Sequence, residues 1–233
     1  MTRMDLVSRL RLLIRKIDRE EDSLHIPADF PRVEPTEFLL DTLKRIRRRF
    51  VIKNERSTSY TVSAIIAEAI ELSHSDLKIL TEEPLEAEFH FTTGNVILSG
   101  KADYMIVDDN QDSRLVVVES GRDWPEKVVF QTLAEAACLM RKRFAENKFT
   151  PVFAILTNSE FYRFFALDID NTVYASRKRY FDLYTLNIES DNNLREILTW
   201  LVWIFTSINS RRSSETDIRS AHFLPIDKRS SFH

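Results

Sequence analysis

An aspartate and a glutamate stand in two strand-like stretches of this sequence. Asp103 lies in Gly100-Lys101-Ala102-Asp103-Tyr104, and Glu119 ends Leu115-Val116-Val117-Val118-Glu119. If these stretches are neighbouring strands, two carboxylates meet near the core. Ionised acids taken out of water must be paired or must coordinate a cation, and hard divalent ions choose oxygen ligands. The pair therefore points to a bound metal, and the rest of the chain must position it.

The surrounding pattern supplies the elements. Leu6, Leu10, Leu13, Ile14 and Ile17 recur at helical spacing and predict an amphipathic helix over about residues 5–19. Pro27, Pro31 and Pro35 make an extended connection, after which Thr36 can cap a helix bearing Phe38, Leu39, Leu43, Ile46 and Phe50. A third helix, with Ser57 to Ser59 offering capping hydroxyls, carries Val62, Ile65, Ile66, Ala69 and Ile70. From Leu85 the period becomes two: Leu85, Ala87, Phe89 and Phe91 alternate with Glu86, Glu88 and His90. Strands over residues 96–107 and 114–120 follow, separated by the polar turn 108–112. Asp123 and Glu126 form a capping pair for a helix reaching about Glu146, whose polar side holds Lys127 and Gln131 at i and i+4. Strands over 151–157 and 160–167, a hairpin partner at 172–176 and a broadly apolar helix from Leu194 to Ile208 complete the pattern. Residues 209–233 are Ser- and Arg-rich with little periodicity and read as a tail.

Composition narrows the function. With 233 residues, 43% of them hydrophobic and 11% aromatic, the chain can bury a sizeable core. No apolar run approaches the roughly 20 residues of a membrane span, and the first residues do not resemble a signal peptide, so an intracellular protein of cytoplasm or nucleus is expected. The single cysteine, Cys138, can form neither an internal disulfide nor a Cys-based zinc site. Three glycines leave no Gly-rich phosphate loop, which argues against ATP-driven and NAD-dependent chemistry. No nucleophile elbow accompanies His25, His74, His90, His222 or His233. A net charge of -3 conceals basic runs at Lys44 to Arg49, Arg141 to Arg143 and Arg177 to Arg179. Such runs are ordinarily solvated helix faces or turn ends, unless a site lies among them.

The order helix, three meandering strands, helix, strand, with Asp103 and Glu119 on the second and third strands, resembles the PD-(D/E)xK nuclease superfamily. The resemblance covers roughly a hundred residues, from the helix at Ser57 to the strand ending at Thr157. It implies an α/β fold: a mixed central sheet with an αβββαβ restriction-endonuclease-like core, to which N-terminal helices, a terminal β-hairpin and a C-terminal helix are added. The division expected is an N-terminal helical extension over 1–50, a nuclease-like domain over 51–209 and a flexible tail over 210–233.

The resemblance also implies roles. Asp103 and Glu119 would hold Mg²⁺ (or Mn²⁺), with Glu68 on the first core helix and the Ser120 carbonyl as further ligands and Gln131 on the helix after the third strand. Gly121 departs from the pattern, standing where the family's lysine would be. Lys127, one turn before Gln131, is the first substitute; Lys101, on Asp103's side by period two, is the second, and Arg122 the third. The implied function is metal-dependent hydrolysis of DNA or RNA phosphodiesters, with nucleic acid as partner, no membrane, and a homo-oligomer possible. The alternatives are a degenerate nuclease-fold module that binds nucleic acid or protein, and a domain unrelated to nucleic acid.

Overall fold

The computed structural model describes residues 24–51, 55–91, 94–108, 113–119, 126–169, 173–183 and 191–210. The expected helix at 5–19, the turns at 92–93 and 109–112, the Asp123 cap and the tail beyond 210 lie outside them.

Helix α1 (Glu37–Arg49) begins as its sequence dictates: Thr36 Oγ1 accepts the Leu39 N–H at 3.2 Å, and Leu39, Leu43 and Ile46 are buried on one face. Helix α2 (Glu55–Leu72) starts earlier than expected, so Ser59 is a helical residue and not a cap. Strand β1 (Lys78–Phe91) begins seven residues before Leu85, because pairing with β2 (Gly94–Val107) continues through a stretch whose alternation is broken by Glu82, Glu83 and Pro84. After β3 (Ser113–Glu119) come α3 (Glu126–Ala145), β4 (Val152–Thr157), β5 (Phe161–Leu167), β6 (Val173–Ala175), β7 (Arg179–Tyr180) and α4 (Asn192–Ser210). Asp191 Oδ1 caps α4 by accepting the Asn193 N–H at 2.8 Å.

The strands form one seven-stranded sheet in the order β1-β2-β3-β4-β5-β6, with β7 also on β5. β1, β2 and β3 pair antiparallel, whereas β4 runs parallel to β3 after the α3 crossover. The elements α2-β1-β2-β3-α3-β4 thus realise the expected αβββαβ core in a mixed sheet, and the expected β5–β6 hairpin is present. No described helix is long and apolar enough to cross a membrane.

Helices cover both faces. Against one face lie α1, α2 and α4, with Tyr104, Ile106, Leu115, Phe153, Ile155 and Phe164 contributed by the sheet. Against the other lies α3, through Leu133, Ala136, Leu139 and Met140 on Leu85, Ala102, Met105, Ala154 and Leu156. Leu24 belongs to the first core and anchors its segment by donating its N–H to the Ala175 carbonyl at 3.1 Å.

β1 and β2 exchange faces part-way along. On β2, Leu98 and Ala102 pack toward α3, yet Tyr104 and Ile106 pack toward α2. On β1, Leu85 and Ala87 pack toward α3, yet Ile79, like Leu77 just before the strand, packs the other way. Because the pairing offset is the same on either side, with Thr81 against Tyr104 and Glu83 against Ala102, Glu82 lies opposite Asp103 at the exchange. Glu82 has φ of 59°, a left-handed conformation that a non-glycine residue adopts only when its surroundings impose it.

Candidate functional site

The β2–β3 pairing runs from Val107 against Ser113 to Tyr104 against Val117. Asp103 and Glu119 are therefore the positions just beyond its last rungs, where β1 and β2 exchange faces. Glu119 ends β3 beside Thr157 of β4. Thus the fold brings both acidic positions to one end of the strand pair. The Glu119 and Lys127 side chains, with Ser120, Gly121 and Arg122, lie outside what the structure describes.

Asp103 is half-buried. Its charge acts on Glu135 of α3, which is only 5% exposed. Burial pushes the Glu135 carboxyl up to about 7; Gln131 opposes the shift through a hydrogen bond, and the Asp103 charge adds to it. Gln131 Nε2 donates to Glu135 Oε1 at 3.1 Å, while Glu135 Oε2 is buried with no hydrogen-bond partner among the described residues. Gly100 contributes bare backbone here: a Cβ at that position would stand 4.0 Å from the Glu135 carboxyl. One turn further along α3, the Cys138 thiol, 3.9 Å from the Leu98 carbonyl, is pushed up to about 12 by burial and by the Glu135 charge, so it stays protonated at neutral pH.

Glu135 was absent from the sequence expectation. Its signal was available in retrospect, since it continues the Lys127, Gln131 line by another four residues. The obstacle was the width of the buried face of α3, which takes in Thr132, Glu135 and Arg143 beyond the apolar stripe.

The other expected residues go elsewhere. Lys101 Nζ binds Glu82 Oε2 at 2.8 Å in an exposed pair. The period-two argument that set Lys101 on Asp103's side does not hold, because alternation is interrupted at this exchange. Glu68 is buried on α2, and its Oε1 accepts the Thr36 N–H at 3.0 Å, bracing the start of α1. Tyr104, next to Asp103, ties β2 to α2: its hydroxyl lies 3.1 Å from Ser63 Oγ and donates to the Ser59 carbonyl at 3.4 Å.

The donors here are oxygens, and a buried carboxylate oxygen without a partner suits a hard cation. Among the described residues no group of three or more His, Cys, Asp or Glu is gathered to hold a metal ion. Asp103 and Glu135 bring two carboxyls to this end of the sheet, with the Asp103 charge acting on the buried Glu135. A cavity of about 530 Å³ lies at the start of α4, lined by His25, Arg32, Arg179, Asn192 and Trp200 among others, and contains none of these acids. There Arg32 donates to Asn192 Oδ1 at 2.8 Å and Arg179 faces Glu196 at 2.7 Å.

Element order and strand directions give a mixed α/β sheet with the order αβββαβ, and the Asp103 and Glu119 positions stand at one end of the β2–β3 pair. No protein-family model and no curated protein matches the chain. Among solved structures it is similar to the type IIG restriction endonuclease BpuSI, at 16% identity and a TM-score of 0.42 over 69% of this chain and 18% of that one. It is similar also to DrdV, from a DrdV–DNA complex, at 14% identity and a TM-score of 0.37 over 73% of this chain and 14% of that one. SSO0001 aligns at 12% identity and a TM-score of 0.23, over 77% of this chain and 79% of that one. The chain spans less than a fifth of the first two.

Proposed function

We propose that this chain is a metal-dependent, nuclease-like protein acting on phosphodiester bonds of DNA or RNA. Asp103, Glu119 and Glu135 are the proposed carboxylate ligands of Mg²⁺ or Mn²⁺, with the Ser120 carbonyl as a further oxygen. The observation that carries the reading is Glu135, whose Oε2 is buried and unpartnered among the described residues beside the Asp103 charge. Two acids so placed repel one another in a dry setting, and a divalent cation relieves both the repulsion and the missing contact. When bound, such an ion supplies an activated water and stabilises charge on a phosphoryl oxygen.

The chain's own part is to hold the acids ready. Gln131 fixes one oxygen of Glu135 and leaves the other available. Lys127 is the proposed cation for the lysine position occupied by Gly121; Lys101 is the weaker choice, since Glu82 engages it. Glu68 is left out of the ligand set because its carboxylate braces Thr36.

Purified protein with Mg²⁺ or Mn²⁺ is expected to cut single- or double-stranded substrates. Asp103→Ala and Glu135→Gln are each expected to slow cleavage on the order of 10²- to 10³-fold. No cleavage with either ion, or equal cleavage by Asp103→Ala, removes the activity. A second reading, a degenerate module that binds without cutting, is favoured by Gly121 and by the Lys101–Glu82 pair. Its signature is Mg²⁺ binding in calorimetry with no turnover, together with salt-dependent nucleic-acid binding.

A further inference from the structure

We infer that the C-terminal end of α1 and the first turns of α2 form a docking surface for an unpaired nucleic-acid strand. Phe50 and Tyr60 receive its bases; Arg45, Arg48 and Arg49 receive its phosphates.

The sequence around Phe50 is not that of a buried helix end. Phe50 is 40% exposed, Tyr60 47% and Val51 70%, and the Phe50 and Tyr60 rings lie 4.5 Å apart at 38°. Large apolar side chains clustered in water mark interaction sites more often than scattered ones do. The three arginines are exposed and spaced three and four residues apart, so they share a face of α1 that runs into the aromatic pair. Arginines in a last helical turn complement the helix dipole without any partner, but the dipole gives no reason for exposed aromatic rings beside them. The acids of α1, Glu37 and Asp41, lie toward its other end.

Cation and aromatic together select the occupant. Guanidinium groups bind phosphates, and exposed rings bind the faces of bases, which a duplex keeps stacked inside and an unpaired strand presents. The surface is also tethered to the acidic site. Tyr60 follows Ser59, whose carbonyl accepts from Tyr104, and Tyr104 follows Asp103 along β2. That contact sets Tyr60 near the level of Asp103 along β2, with Tyr104 packed toward α2 and the Asp103 charge acting on α3 across the sheet. A role at that acid rests on the nuclease-like reading; the binding surface itself does not.

The test is fluorescence anisotropy in EDTA with a labelled 20-nucleotide single strand, as DNA and as RNA, against the blunt duplex of the same sequence. Preference for one or both single strands is expected, with DNA and RNA arms identifying the source. Phe50→Ala/Tyr60→Leu should weaken single-strand binding on the order of tenfold, while Tyr60→Phe keeps it. Exchanging Arg45, Arg48 and Arg49 for Gln should flatten the salt dependence of binding. Circular dichroism of each variant checks that the helices persist. Equal affinity for the duplex overturns the proposal, as does unchanged binding by Phe50→Ala/Tyr60→Leu, or a dimer seen in sedimentation that this double variant alone dissolves. Because EDTA removes metal, absent cleavage with retained single-strand binding counts against the nuclease reading alone, and metal-dependent cleavage with no effect of the aromatic variants counts against this surface alone.

Discussion

The two faces of the sheet are built to different ends. Under α1, α2 and α4 the core is bulky and aromatic: Trp200 stacks on Phe164 with centroids 5.0 Å apart and meets Trp203 edge-on at 5.6 Å. Two of the buried polar groups there are matched to backbone. Glu68 accepts the Thr36 N–H, and Thr199 Oγ1 accepts the Val33 N–H at 3.0 Å while donating to the Arg195 carbonyl at 2.7 Å. Under α3 the residues are smaller, among them Ala87, Ala102, Ala136 and Ala154, and a buried acid keeps one oxygen unpartnered among the described residues. Satisfied polar groups stabilise a fold, whereas an unsatisfied buried carboxyl weakens it unless something else is to be bound. The two faces differ in the kind of atom left over: under α1, α2 and α4 the Thr61 hydroxyl of α2 is buried without a partner among the described residues, a neutral group, whereas under α3 it is an ionisable carboxyl, the one the proposed metal site would use.

The largest effect is expected where the first face is cut. Trp200→Ala removes a side chain that is 3% exposed and packed on two rings, and should lower unfolding free energy by about 3–5 kcal/mol, read in urea denaturation. A small loss would mean that the aromatic stack is not the main support of this core.

The second face can be probed by pH. Glu135 titrates at about 7 in the folded chain against an ordinary value of 4.5. Across that window the folded state holds more protons than the unfolded one, so stability falls as pH rises from about 4.5 to 7 and is flat above it. The loss is up to about 3 kcal/mol by linkage. Glu135→Gln should flatten the profile and be the more stable protein at pH 8. Adding Mg²⁺ should restore wild-type stability at pH 8 and leave the Gln variant unmoved. A wild-type profile already flat between pH 4.5 and 7 would show that Glu135 is not held in a dry site.

This contrast was only partly legible in the sequence. Strict alternation at Leu85 to Phe91, the apolar run Leu115 to Val118 and the 3.6-residue stripe of α4 each reflect one local period, and each led to the right element. The face exchange at Glu82 and Asp103 could not be read that way, since it involves two strands together and a positive φ that no residue type announces. Glu135 was hidden because a glutamate flanked by alanines looks like an exposed helix residue. Only the packing of β1 and β2 against α3 removes it from water.

Glu68 sharpens the comparison from the other side. As a ligand it would affect metal binding; as a brace it affects only the fold. Glu68→Ala leaves the Thr36 N–H without its acceptor and should cost about 1–3 kcal/mol in denaturation, with Mg²⁺ affinity unchanged in calorimetry. A loss of Mg²⁺ affinity without a loss of stability would return Glu68 to the site.

The smallest effect belongs to Lys101. Its partner Glu82 sits at the face exchange, but the two side chains are 54% and 75% exposed, and an exposed ion pair contributes only about 0–1 kcal/mol because water and salt screen it. Lys101→Ala should therefore move stability by less than about 1 kcal/mol, even though Glu82 itself holds a left-handed backbone. Cleavage should be equally indifferent, because Glu82 already engages the ammonium, whereas Lys127→Ala should slow it on the order of 10²-fold if Lys127 supplies the missing charge. Measuring both variants side by side separates the two lysines. A hundredfold loss in Lys101→Ala with Lys127→Ala unaffected would mean that the Glu82 pair opens when substrate binds, and that the face exchange of β1 and β2 delivers a lysine to Asp103.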